Sequence, residues 1–82
     1  MSSTRKNRTK TIAKFQKNAL EEIRISLAEY QGKDLIDIRI WLKQNDEAFV
    51  PTQKGVAIAK EKYPELKKAL EILDQELKKI RG

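Results

Sequence analysis

The chain contains neither cysteine nor histidine. That excludes a disulfide framework, a thiolate or imidazole metal site, and any Cys–His or Ser–His catalytic pair. Lack of cysteine fits a reducing compartment. No apolar run approaches the roughly 20 residues that span a bilayer. The opening MSSTRKNRTK has no apolar stretch of the kind a secretory signal needs. No phosphate-cradling glycine loop is present, and Asp34 and Asp37 fall on opposite faces of a strand. These absences speak against an enzyme, and no cofactor or metal is expected.

Acidic residues are also missing from one end. Residues 1–18 hold Arg5, Lys6, Arg8, Lys10, Lys14 and Lys17 and no acid, so the net charge of +6 sits entirely there. Residues 19–82 are balanced. Such an arm suits a polyanion, with Arg5, Lys6, Arg8 and Lys10 as candidate phosphate contacts. A solubilising tail and a basic targeting peptide are the competing explanations. The expected organisation is a flexible basic arm over 1–18 and one small domain over 19–82.

Little apolar content over residues 1–10 predicts disorder in the free chain. Residues 11–20, TIAKFQKNAL, fit either a short helix or an extended lead into the next strand. Alternation in IRISLAEY (23–30) and DLIDIRIWL (34–42) predicts two strands joined at Gln31-Gly32. A short strand at Phe49-Val50 ends at Pro51, TQKG (52–55) reads as a turn, and VAIA (56–59) as a fourth strand. Short connections imply an antiparallel meander. The period then changes. Tyr63, Leu66, Leu70, Leu73, Leu77 and Ile80 are spaced for one face of a helix of about 20 residues. The fold class is therefore α+β.

The helix stripe needs an apolar partner, and the sheet face carrying Ile23, Ile25, Leu27, Ile36, Ile38, Ile40, Leu42, Val56 and Ile58 is the expected one. The opposite face shows Arg24, Ser26, Tyr30, Asp37, Arg39, Trp41 and Lys43. With no second helix to cover it, that face is open to solvent. Aromatic rings among cations suit single-stranded nucleic acid, where bases stack and cations follow phosphates. Trp41 packed on a neighbouring strand, or Arg39 simply paired with Asp37 or Glu29, are the plainer alternatives. An ordered part this small buries only about 60% of its unfolded surface, which favours association through the helix.

The segments EYQGKDLIDIR (29–39) and PTQKGVAI (51–58), followed by the helix with Tyr63 and Leu66, together resemble the transcriptional coactivator family called positive cofactor four. The likeness covers roughly residues 20–80. It implies a curved four-stranded antiparallel sheet followed by one C-terminal helix. It further implies a homodimer with Leu66, Leu70, Leu73 and Leu77 at the interface, and channels for melted or single-stranded DNA. By the family pattern Tyr30 takes the stacking position, and Lys33, Arg39 and Lys54 the basic ones. Gly32 and Gly55 match the turn glycines. Gln31, Val50 and Gln53 stand where the family often has basic residues. Leu42 occupies the second aromatic position, with Trp41 one residue earlier.

The expected function is single-stranded-DNA binding with little sequence preference, in transcription, replication or repair. Arg24, Tyr30, Lys33, Arg39, Trp41, Lys43 and Lys54 are the candidate contacts. Alternatives are RNA binding by the same surface, or a module recruiting transcription or replication proteins such as polymerase. No membrane association is expected. The expected location is intracellular: nuclear in a eukaryote, cytoplasmic or nucleoid in a bacterium or virus.

Overall fold

Alternating apolar and polar side chains build the central hairpin of the computed structural model, which describes residues 8–80. β2 (Glu21–Tyr30) and β3 (Lys33–Lys43) pair antiparallel over their whole length, from Glu21 opposite Leu42 to Tyr30 opposite Lys33. Gln31 and Gly32 turn the chain with φ of 53° and 81°. Two successive positive φ values are what a two-residue type I′ hairpin requires. A Cβ on Gly32 would meet nothing within 4 Å, so conformation rather than space calls for glycine there.

The outer strands differ from expectation. β1 (Arg8–Gln16) lies along β2, so residues 8–16 belong to the sheet and not to a flexible arm. All of its side chains are exposed. The backbone ladder to β2, not burial, holds it, which is why the hydrophobic pattern gave so little sign of it. A register shift between Thr11 and Ala13 marks a bulge around Ile12. Arg5 and Lys6 lie outside the described residues. β4 (Phe49–Ala59) is one strand where two were expected. The TQKG segment is a bulge within it, between Pro51 opposite Trp41 and Gly55 opposite Arg39. The order is β1-β2-β3-β4, an antiparallel meander with Pro51 on an edge strand.

A 3₁₀ turn (Lys60–Lys62) leads into α1 (Tyr63–Ile80). Pro64 sits in the first helical turn, where its missing N–H costs little. The helix does not cover the apolar face of the sheet. Every residue of α1 is exposed except the half-buried Leu66. On the sheet, Leu27 and Val56 are 49% and 51% exposed, and Ile36 (9%) is the buried apolar side chain of the described residues. Periodicity identifies two apolar surfaces correctly, but it does not say what covers them. A single chain is accordingly thin, 54 × 37 × 18 Å. Among the described residues no helix is long and apolar enough to cross a membrane.

Candidate nucleic-acid interface

Cross-strand register assigns the faces. Arg24 stands opposite Arg39, Ser26 opposite Asp37, Glu22 opposite Trp41 and Tyr30 opposite Lys33. Lys43 stands opposite Phe49. Directly opposed residues share a face, so Arg24, Tyr30, Lys33, Arg39, Trp41 and Lys43 all lie on one polar face. Lys14 of β1, opposite Arg24, joins them. Its charge was plain in the sequence, but its face depends on the β1 bulge. Arg8 and Lys10 stand opposite Glu29 and Leu27 on the apolar side. Arg8 Nη2 is 3.1 Å from Glu29 Oε1. These two cations are not grouped with the polar face.

The cations there divide into two kinds. Both arginines are engaged by carboxylates two residues away on the same strand. Arg24 Nε lies 3.0 Å from Glu22 Oε1. Arg39 Nη2 donates to Asp37 Oδ1 at 2.8 Å, and its Nε to both oxygens at 3.2–3.3 Å. The hydrogen bonds that Arg39 donates to Asp37 raise its pKa above the ordinary value. Lys14, Lys33 and Lys43 have no acidic group within 4.0 Å among the described residues.

Two aromatic side chains behave differently. Tyr30, at the hairpin end, is 50% exposed. Trp41, expected as an open stacking ring, already carries a guanidinium: the Arg24 Cζ lies 4.1 Å from its centroid and 5.6 Å from that of Phe49. Glu22 opposite Trp41 makes Arg24 its diagonal neighbour, close enough for a long side chain to reach the ring. The Trp41 Nε1 and the Oγ of Ser26, itself 1% exposed, are buried without hydrogen-bond partners among the described residues.

Lys54 sits in the β4 bulge. It acts weakly on Glu21, whose carboxyl is held below its usual range chiefly by Asn18 and then Lys17. Glu21 stands opposite Leu42 on the apolar side. The bulge is organised by Thr52. Its Oγ1 donates to the Ile40 carbonyl at 2.8 Å, and its own carbonyl accepts Arg39 Nη1 at 2.9 Å. Thr52 and Phe49 are site neighbours that the sequence did not single out: Thr52 because 52–55 looked like a turn, and Phe49 because its place opposite Lys43 depends on the β3–β4 register. Among the described residues no group of three or more Asp, Glu, His or Cys is placed to hold a metal.

Known proteins share the sequence pattern and the fold. The model of the family described as transcriptional coactivator p15 (PC4) matches residues 17–69. The RNA polymerase II transcriptional coactivator KELP of Arabidopsis thaliana is 32% identical over 57 residues, 70% of this chain. The chain spans only about a third of that relative's length, 34%. Two crystal forms of a PC4 homologue from Burkholderia pseudomallei superpose with TM-scores of 0.77 and 0.75. They are 37% and 36% identical, each covering 82% of this chain, with 90% and 98% of theirs matched. A bacteriophage T5 homologue of PC4, implicated in recombination-dependent DNA replication, shares the fold at 17% identity and TM-score 0.57, covering 92% of this chain and 81% of its own. With the family model matching most of the sheet and the start of the helix, this chain belongs to the PC4 (transcriptional coactivator p15) family.

Proposed function

We propose that the chain binds single-stranded or melted DNA with little sequence preference, as a homodimer, in transcription regulation or in replication and repair. The observation that carries this is the polar face itself. Lys14, Lys33 and Lys43 lie there without acidic partners among the described residues, and an exposed Tyr30 stands opposite Lys33. Lysines without partners neutralise phosphates and release counterions on binding. An exposed ring offers a π-face that any base can use. Two uncovered apolar surfaces, the α1 stripe and the sheet face with Leu27 and Val56, suit a second copy of the chain. Membership of a coactivator family supports transcription or replication proteins as further partners.

A titration of labelled single- and double-stranded oligonucleotides at two salt concentrations tests the proposal. Preference for the single strand is expected, with log affinity falling against log salt by about 0.7 per phosphate neutralised. A matched RNA oligomer binding more tightly than DNA assigns the face to RNA. No binding to any naked oligonucleotide sinks the proposal.

A further inference from the structure

Three residues of β4, Thr52, Gln53 and Lys54, stand opposite the single residue Ile40. A surplus of this size breaks the ladder and bends the strand. It also leaves backbone groups that must find other partners. Side chains supply them here. Thr52 Oγ1 donates to Ile40 O at 2.8 Å and accepts the Lys54 N–H at 3.1 Å. The Thr52 carbonyl accepts Arg39 Nη1 at 2.9 Å, and Asp37 grips the other two nitrogens of that guanidinium. All three Arg39 nitrogens are thus engaged, and the planar fork fixes their directions. Immediately after the bulge, β4 presses on β3. A Cβ on Gly55 would lie 2.8 Å from Ile38 O and 2.9 Å from Arg39 Cα.

The bulge separates two parts of the polar face. Before it, Phe49 and Pro51 stand beside Lys43 and Trp41. Beyond it, β4 runs along β3 towards the hairpin end with Lys33 and Tyr30. The bulge lies alongside β3 between Lys33 at one end of that strand and Lys43 at the other.

We propose that Asp37, Arg39 and Thr52 form a positioning relay that fixes this bend, and that Arg39 acts on nucleic-acid binding through the bulge, not as a free charge. The inference rests on the single-stranded-DNA reading and refines it. It makes a prediction opposite in sign to simple electrostatics. Asp37→Asn makes the face more positive, and an Arg39 acting as a charge would then bind DNA more tightly. A relay that loses its grip on Arg39 binds more weakly.

The test measures binding of a labelled oligo-dT strand by the full chain carrying Asp37→Asn, Thr52→Val or Thr52→Ser. Circular dichroism confirms folding, and amide exchange at Lys54 reports the bulge. Asp37→Asn and Thr52→Val are each expected to weaken binding about fivefold, as for loss of one charged or structural hydrogen bond. The salt slope stays unchanged and the Lys54 amide loses protection in Thr52→Val. Thr52→Ser, which keeps the hydroxyl, retains wild-type affinity. Unchanged or tighter binding by Asp37→Asn overturns the relay even if Thr52→Val fails to fold. Absence of binding by the unaltered chain removes the underlying single-stranded-DNA reading instead.

Discussion

The guanidinium carbon of Arg24 sits 4.1 Å from the centre of the Trp41 ring, and Glu22 holds its Nε at 3.0 Å. The contact covers one side of the only tryptophan in the chain, so tryptophan emission reports it directly. Arg24→Ala is expected to cost about 1–2 kcal/mol of stability, the range for a partly desolvated cation–π pair. It should also increase collisional quenching of Trp41 by acrylamide. Unfolding midpoints and quenching constants of the two proteins check this. Equal quenching would mean that the pair does not form in solution.

The β1–β2 connection carries a pH-dependent element. Asn18 Oδ1 accepts the N–H groups of Leu20 and Glu21 at 3.0 and 2.9 Å. Asn18 Nδ2 and Lys17 Nζ then donate to the Glu21 carboxylate at 2.8 and 3.1 Å. These bonds, Asn18 first and Lys17 second, lower the Glu21 pKa from its ordinary 4.5. A lowered folded-state pKa gives stability that is complete above 4.5 and lost as pH falls from there through the folded value. Glu21→Gln should therefore be less stable than wild type at about pH 7 and equal to it at about pH 2. Denaturant midpoints at the two pH values measure the difference. A gap that persists in acid would assign the effect to something other than this carboxylate.

The central hairpin and helix were legible because an apolar face imposes a period on the sequence, whether or not the single chain covers that face. Ile23 to Leu27 and Ile36 to Ile40 fixed their own faces, and the register confirms Arg24, Arg39 and Trp41 on the other. β1 was illegible for the opposite reason. An exposed strand held by backbone hydrogen bonds leaves no hydrophobic pattern, and a basic composition resembled a tail. The bulge was hidden in the same way. Thr52-Gln53-Lys54-Gly55 has turn chemistry, but whether the chain reverses or only bends depends on bonds from Arg39 and to Ile40. The Arg24–Trp41 contact lay beyond single-strand alternation because it joins diagonal positions on two strands.

The last prediction concerns the uncovered apolar surface. Leu70, Leu73 and Leu77 are each about half exposed on one stripe of α1, and Ile36 alone of the described apolar residues counts as buried. A fully buried leucine contributes roughly 1.5–3 kcal/mol over an exposed one, so a lone chain forgoes most of what its sequence offers. A homodimer recovers it by covering the helix stripe and the sheet face together. Light scattering should then give twice the 9.5 kDa chain mass, and the melting temperature should rise with protein concentration. Leu73→Asp places a charge in the middle of the stripe. It should abolish the dimer and lower the melting temperature, whereas Lys68→Asp on the polar side of the helix should do neither. A wild-type chain that stays monomeric, with melting independent of concentration, would refute the homodimer. The apolar stripe would then require a different partner.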